Sequence, residues 1–181
     1  MTFAFDIFRS PVGDLTMIAS GKGLAALLWA NDDPLRVRAR PGAKAPDHPL
    51  LQETSKQLCA YFSGKLTRFD IPLDFHGTDF QKQVWAALLR IPFGQVRSYG
   101  QVALDIGRPS ASRAVGAANG RNPLSIIAPC HRVIGSAGAL TGFAGGLEAK
   151  RYLLDHEQSV LRSGGEWRTQ DDEDKNRVII V

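Results

Sequence analysis

A cysteine and a histidine stand side by side in the second half of the chain. Cys130 and His131 follow Pro129, and the short apolar run 126–128 precedes them. We predict that this run forms a buried strand, which Pro129 ends because proline has no N–H for a ladder. A thiol reacts as its thiolate, and a neighbouring base makes thiolate available near neutral pH. The pair therefore indicates a nucleophile with its base, although an inert thiol beside a core histidine is the commoner meaning of such a pair.

The composition is that of an ordinary globular protein. The chain has 181 residues, 44% of them hydrophobic and 22% charged, which is enough for one domain or two small ones. Because it contains no signal-peptide pattern and no long apolar run, we expect a cytoplasmic protein that does not contact a membrane. The two cysteines, Cys59 and Cys130, are too few for a disulfide framework, and no spacing typical of metal ligands is present.

Positive charge is concentrated around the cysteine. The formal net charge is +4, and residues 78–160 hold nine Lys or Arg against five Asp or Glu. A basic face attracts the phosphate backbone of nucleic acids. A solvated face of mixed charge is the alternative, and this net charge does not exclude it.

The first half of the chain predicts a small sheet and one helix. Alternating apolar residues and glycine turns predict three strands over residues 1–29, followed by an exposed connection over 31–49. A helix over 50–62 is expected next, and Cys59 within it is most simply a core thiol. A further strand is expected over 69–73. We find no chemistry in the residues of this half.

The second half predicts short helices that begin with capping boxes. Thr78 with Gln81, and Ser98 with Gln101, have the spacing at which two side chains cap each other's backbone N–H groups. A Gly–Pro turn follows the second helix, and Ser110 is expected to cap the next one. Helix, tight turn and helix have the proportions of a helix-turn-helix unit.

The helix expected over 111–119 has an unusual surface. Six of its side chains are small, and Arg113 is its one long side chain. Small residues usually mean close packing between helices. The alternative is a helix that approaches the backbone of another molecule with its N-terminal N–H groups and Arg113. Glycine-rich loops over 135–138 and 142–146 follow, and a last helix is expected over 147–157.

Compared residue by residue, the second half resembles the O6-alkylguanine-DNA alkyltransferases, most of all their bacterial constitutive branch. The resemblance is continuous from Phe80 to Glu157. The residues that carry it are Tyr99, Arg113, Asn122, Pro123, Pro129, Cys130, His131, Arg132, Val133, Gly145, Gly146 and Glu157. Phe143 departs from the pattern, because several members of the family carry tyrosine there.

The resemblance implies a mechanism of alkyl transfer. Cys130 takes the alkyl group from guanine O6 in a single irreversible turnover, and His131 accepts the thiol proton through a water molecule. Glu157 orients and stabilises the imidazolium. Asn122 supports the turn that presents the cysteine, and Tyr99 donates a hydrogen bond to guanine N3.

The resemblance also implies duplex DNA as the partner of the chain. The damaged nucleotide is flipped into the pocket, and Arg113 fills the vacated stack. Further contacts with the base or the DNA are implied for Ser98, Ser112, Ala114, Asn119, Arg121, Val133, Phe143, Ala144 and Gly145. No cofactor and no metal are implied, and a monomer is expected. O4-alkylthymine as a second substrate and clustering of copies along DNA stay open.

These expectations define a fold class and a division of the chain. The fold class is α/β, of the α+β kind: a small N-terminal sheet-and-helix domain, then a mainly helical domain with a winged-helix-like helix-turn-helix. The domains are expected at 1–77 and 78–160, with a loosely ordered, acidic tail over 161–181. Two rival functions are a non-catalytic module that binds DNA lesions and a Cys-His-Glu hydrolase whose oxyanion hole the glycine-rich loops would supply.

Overall fold

The N-terminal half forms a four-stranded sheet with one helix packed on it. In the computed structural model, which describes residues 3–164, the sheet order is β3-β2-β1-β4. The strands are β1 (Ala4–Ser10), β2 (Gly13–Ala19), β3 (Leu24–Trp29) and β4 (Ala43–Lys44). The first three are antiparallel neighbours, and β4 pairs with β1 in parallel. The predicted three-stranded meander is therefore confirmed.

Helix α1 (Pro49–Phe62) packs on β1 and β2. Its buried residues are Leu51, Thr54, Leu58 and Tyr61, which recur at the spacing of one helix face. Cys59 follows Leu58 and is therefore turned away from that face, so its side chain is exposed. The prediction that Cys59 is a core thiol was wrong.

The connections on either side of α1 also differ from the predictions. The stretch 69–73 forms no strand, and only Leu73 pairs, as an isolated bridge with Leu24. Pro72 has no N–H to donate to a ladder. The connection over 31–49 is not fully exposed, because the Val37 side chain lies in the hydrophobic interior and β4 belongs to the sheet.

The second half is mainly helical. Its elements are α2 (Asp79–Leu88), β5 (Arg97–Ser98), α3 (Tyr99–Asp105), α4 (Ser112–Gly120), β6 (Val133–Ile134) and α5 (Gly146–Arg162). Both predicted capping boxes are present, at Thr78 with Gln81 and at Ser98 with Gln101. Helices α3 and α4 form the helix-turn-helix and pack on α2, while β5 and β6 form a short parallel pair. The predicted fold class is confirmed.

Two local predictions in this half were wrong. Ala111, not Ser110, is the N-cap of α4, and no side chain in the described part of the chain caps this helix. The run 126–128 is buried but forms a turn, because Ile126 has a φ of 72°, in the left-handed region that a strand does not allow. A short apolar run indicates burial but does not distinguish a strand from a buried turn.

Helix α5 extends to Arg162, beyond its expected end at 157. Residues 165–181 of the predicted tail, including the acidic run, lie outside the described residues. Within residues 3–164, no helix combines the length and hydropathy that a transmembrane span requires.

The sheet and the helices share the largest hydrophobic cluster of the protein. Leu27 of β3 donates its backbone N–H to the carbonyl of Pro123 at 2.8 Å. The indole N–H of Trp29 donates to Oγ of Ser125 at 3.0 Å. The end of β3 is thus built against the turn that leads to the cysteine, and the expected division near residue 77 stays a prediction.

Candidate active site

Cys130 begins one turn of 3-10 helix (Cys130–Arg132) that leads into β6, and its side chain is only 3% exposed. Burial raises the pKa of the Cys130 thiol. A hydrogen bond from Asn122 and the positive charges of Arg36 and Lys150 act in the opposite direction without cancelling this effect. The resting sulfur is therefore a neutral thiol near pH 7, and it needs a base before it can attack.

His131 and Glu157 form a buried pair next to this thiol. Nε2 of His131 lies 2.6 Å from Oε1 of Glu157, and both side chains are 0% exposed. Burial lowers the pKa of His131, although the hydrogen bond and charge of Glu157 raise it in part. The resting imidazole is therefore neutral, with its Nε2–H donating to the carboxylate. Nδ1 is buried and has no hydrogen-bond partner within residues 3–164, so its lone pair can accept a proton.

Glu157 is held by donors on several sides. The hydroxyl of Tyr61 donates to Oε1 at 2.8 Å, and the backbone N–H of Gly94 donates to Oε2 at 2.8 Å. Arg132 donates from Nε to Oε2 and from Nη2 to Oε1, both at 3.0 Å. Burial alone would raise the pKa of Glu157, but the hydrogen bonds from His131 and Arg132 and the charge of Arg132 outweigh it and lower the pKa to about 2. The carboxylate is an anion at physiological pH.

Asn122 closes the turn that precedes the cysteine. Its Nδ2 donates to the carbonyl of Ala128 at 2.7 Å, and its Oδ1 accepts from the N–H of Leu124 at 3.0 Å. Arg36, from the N-terminal half, donates to the backbone carbonyl of Asn122 and forms an ion pair with Asp32. The turn is therefore stabilised by the amide of its own Asn122 and by the guanidinium of Arg36 from the N-terminal half.

Tyr99 lies at the start of α3, opposite the loop that precedes α5. Its hydroxyl is 2.8 Å from Oγ1 of Thr141. Nζ of the fully buried Lys150 donates to the carbonyls of Val133 at 2.6 Å and Thr141 at 3.2 Å. Lys150 thus fastens β6 to the loop, and the Val133 carbonyl, which was expected to contact the base, keeps one lone pair free.

The loop over 142–146 packs on Trp29. The ring of Phe143 meets Trp29 edge to face, with 5.4 Å between the ring centroids. A Cβ at Gly145 would lie 2.6 Å from the Trp29 ring, so only glycine fits there. Ala144, between them, is half-buried. Packing on the indole thus accounts for Gly145 without any ligand.

The remaining predicted DNA contacts fall into two groups. Arg113, Ala114 and Arg121 are exposed, and Ser98 and Ser112 are half-buried. Asn119 is different, because its side chain is only 4% exposed and lies on the inner side of α4. The structure therefore does not present Asn119 to a partner, whereas the other five residues lie at or near the surface.

Three residues of the site gave no chemical signal in the sequence: Arg36, Tyr61 and Lys150. Lys150 is separated from Leu153 and Glu157 by three and seven residues, so helical periodicity alone places it on their buried face. Tyr61 lies on the apolar face of α1, and a buried phenol needs a hydrogen-bond partner. No local pattern indicates that Arg36 supports the site, because the Asn122 carbonyl that it contacts is 86 positions away in the sequence.

The arrangement combines a thiol, an imidazole with one free nitrogen and a carboxylate held by donors. These are the parts needed to deprotonate a sulfur nucleophile and to stabilise the resulting imidazolium. Among residues 3–164, no cluster of His, Cys, Asp and Glu could hold a metal ion.

Models of one protein family match almost the whole described chain. The DNA binding domain of the 6-O-methylguanine DNA methyltransferases matches residues 79–159, and their ribonuclease-like domain matches residues 5–75. The chain belongs to the 6-O-methylguanine DNA methyltransferase family. The resemblance found in the sequence is thereby confirmed.

Individual members of this methyltransferase family match along nearly their full length. A methylated-DNA–protein-cysteine methyltransferase of Methanosarcina barkeri is 48% identical over 161 residues, which are 87% of this chain and 99% of the relative. One of Mycolicibacterium paratuberculosis is 58% identical over 151 residues, or 82% and 88% of the two chains. The crystal structure of Mycobacterium tuberculosis OGT in complex with DNA is similar with a TM-score of 0.79 at 46% identity, covering 88% of this chain and 94% of that one.

Proposed function

We propose that the chain repairs DNA directly, by moving the alkyl group from O6 of guanine in duplex DNA to Sγ of Cys130. The observation that carries this proposal is the buried arrangement of Cys130, His131 and Glu157. One imidazole nitrogen bonds the carboxylate, and the other has no hydrogen-bond partner within residues 3–164. Membership of the methyltransferase family supports it. A monomer acts once and keeps the alkyl group.

The transfer needs one proton acceptor and no cofactor. The thiol proton of Cys130 passes through a water molecule to Nδ1 of His131, and the imidazolium donates its Nε2–H to the anionic Glu157. The thiolate attacks the alkyl carbon, so that a C–S bond forms and the C–O6 bond breaks. The electron pair of the C–O6 bond stays on the base, which takes up a proton to become guanine. No group in this site can cleave the thioether that remains.

The base must reach the sulfur before it can react. O6 lies inside the duplex, so the damaged nucleotide leaves the stack and enters the site. The exposed side chain of Arg113, in the first turn of α4, occupies the vacated space. The hydroxyl of Tyr99 gives up its hydrogen bond with Thr141 and donates one to guanine N3. This hydrogen bond reduces the negative charge on the leaving base.

The test is a mass measurement on the intact protein after incubation with excess duplex DNA that holds O6-methylguanine. We expect a gain of about 14 Da, located by peptide mapping at Cys130, and no further gain with time. Cys59→Ser is the matched control and should gain the same mass, because Cys59 lies exposed on α1.

Two other outcomes would contradict the proposal. An unchanged mass with DNA still bound would indicate a module that recognises lesions without reacting. An unchanged mass together with repeated turnover of a small ester would indicate a hydrolase that uses the same three residues.

A further inference from the structure

Two cavities lie side by side where the sheet meets α2, and the smaller one is also lined by Arg36, which holds the turn before Cys130. Their volumes are about 480 Å³ and about 220 Å³, and Arg38 and His76 line both of them. The larger cavity adds Lys22 and Lys82, and the smaller one adds Arg121. We name these five residues and the joined cavities the basic groove.

The cations of the basic groove carry charge that other described residues do not neutralise. No ion pair within residues 3–164 includes Lys22, Arg38, Lys82 or Arg121. Asp74 lines the larger cavity, but it is only 4% exposed and accepts a hydrogen bond from Oγ of Ser20 at 2.6 Å. Asp74 also lies 2.8 Å from Nε2 of His76. Its charge therefore holds the histidine ring and is not offered to a ligand, so the groove is suited to an anion.

The basic groove begins where α4 ends. Arg121 is the C-cap of α4, and Arg113 lies in the first turn of the same helix. The two positions are separated by about 12 Å along the helix axis. This distance corresponds to about three to four base pairs of duplex at 3.4 Å for each pair. A duplex held on α4 therefore has phosphates within reach of Arg121, which lines the smaller cavity of the groove.

We propose that the basic groove binds the phosphate backbone of duplex DNA beside the segment that α4 holds. This role rests on the proposed function of the chain on DNA and extends it to the N-terminal half. Exposed Lys and Arg side chains contact phosphates without reading sequence, which increases affinity for any duplex. Arg38 lies between the two cavities, and its planar guanidinium can bind two phosphate oxygens at once.

The salt dependence of binding to undamaged duplex DNA tests this role in the full chain. The groove variant is Lys22→Ala/Arg38→Ala/Lys82→Ala, and the control variant is Lys56→Ala/Lys65→Ala/Arg68→Ala. Both variants lose three positive charges from exposed residues, but the control residues do not line either cavity. Each lost phosphate contact reduces the slope of log K against log salt by about 0.9. We expect a slope reduced by about two to three in the groove variant and an unchanged slope in the control.

Duplexes of different length distinguish the contribution of the basic groove to DNA binding from that of α4. The groove variant should differ from the wild type most on a duplex of about 24 base pairs, and least on one of about 8 base pairs, which extends only about two base pairs beyond each end of α4. Equal slopes for the groove and control variants would overturn the proposal. If the triple variant does not fold, the single charge reversal Arg38→Glu is measured against Arg68→Glu in the same way.

Two further measurements separate this proposal from its alternatives. A thermal stabilisation by dAMP that the groove variant loses, with no change in its DNA slope, would assign the groove to small phosphates and overturn the DNA role. Methyl transfer from the free base O6-methylguanine should be equal in the wild type and both variants. A wild type that does not react would contradict the proposed function, while the slopes would still decide the role of the groove.

Discussion

The active site formed by Cys130, His131 and Glu157 is buried, whereas helix α4 carries exposed side chains. The side chains of Cys130, His131 and Glu157 are 3%, 0% and 0% exposed, and the carboxylate is surrounded by donors. On α4, Arg113 and Ala114 are exposed and make no hydrogen bond to another side chain within residues 3–164. Contacts within the protein therefore hold the groups of the proposed chemistry in place, whereas these exposed residues of α4, which we propose contact DNA, have no such contacts among residues 3–164. Substitutions in the active site should therefore affect alkyl transfer itself, whereas substitutions on α4 should affect the action on duplex DNA.

The largest effect should follow from removing the nucleophile. Cys130→Ser replaces the sulfur by an oxygen that this imidazole cannot deprotonate to a useful extent, so no alkylated protein should form. Binding to duplex DNA should be unchanged, because the surface of α4 is untouched. Mass measurement checks the loss of alkylation, and a binding titration on the same sample checks the affinity for DNA. Transfer by the serine variant would refute the role of Cys130.

Glu157→Gln should be the next largest change. The amide removes the anion that stabilises the His131 imidazolium and places an NH2 group among donors, so the transfer rate should fall by about a hundredfold or more. Single-turnover kinetics on a lesion-containing duplex measure this loss. Glu148→Gln is the control, because Glu148 is an exposed acid on the same helix, and a similar loss in both variants would argue against the relay.

The same variant should change the dependence of stability on pH. The pKa of Glu157 in the folded protein is lowered from 4.5 to about 2. An acid whose pKa is lower in the folded protein than in the unfolded chain stabilises the fold at pH values above its unfolded pKa. This stabilisation is lost as the pH falls towards the pKa in the folded protein. The contribution is about 3 kcal/mol near neutral pH. Denaturant titrations should show the wild type losing its advantage over Glu157→Gln between about pH 4.5 and pH 2, and a constant difference would contradict this account.

Arg113→Ala should have a smaller effect that depends on the substrate. Without the side chain to fill the stack, transfer from duplex DNA should slow by about tenfold, whereas transfer from the free base should be unchanged. The free energy of unfolding should also be unchanged, because the side chain is exposed. Arg151→Ala, which removes an exposed arginine from α5, is the control. Equal losses on both substrates would rule out stack filling.

Tyr61→Phe should give the smallest change in rate. The phenol shares Oε1 of Glu157 with His131, and burial followed by the charge of Glu157 raises its pKa, so it stays a donor. Its loss should destabilise the protein by about 1 to 3 kcal/mol. Without the phenol hydrogen bond, the Glu157 carboxylate should interact more strongly with His131 and raise the pKa of the imidazole. The acid limb of the pH–rate profile should therefore move to higher pH, whereas Tyr152→Phe, at an exposed phenol, should leave it unchanged.

The sequence predicted those elements that local chemistry determines. The capping boxes at Thr78 and Ser98 depend on side chains three residues apart, and both are present. The turn at Ile126 could not be predicted, because Asn122 and the edge of β3 impose it from outside the run. Cys59 was misplaced because a small apolar residue fits either face of a helix.

The nucleophile and its base were visible in the sequence because Cys130 and His131 are adjacent, and Glu157 was indicated only by the resemblance to the family. The residues that support the site could not be predicted. Tyr61 reaches Glu157 across 96 positions of the chain. The indole of Trp29 reaches Ser125 over the same separation. Contacts of this kind appear only after folding, so the contribution of the N-terminal half had no pattern in the sequence.

The burial of Cys130 also bears on how long each molecule remains usable. Oxidants and electrophiles in solution react with thiolates that they can reach. Cys130 is neither exposed nor ionised at rest, while Cys59 is open to solvent on α1. Oxidative damage should therefore fall first on Cys59, where it leaves the reactive sulfur untouched. The single alkyl transfer that we propose for each molecule is thereby kept available until a damaged base arrives.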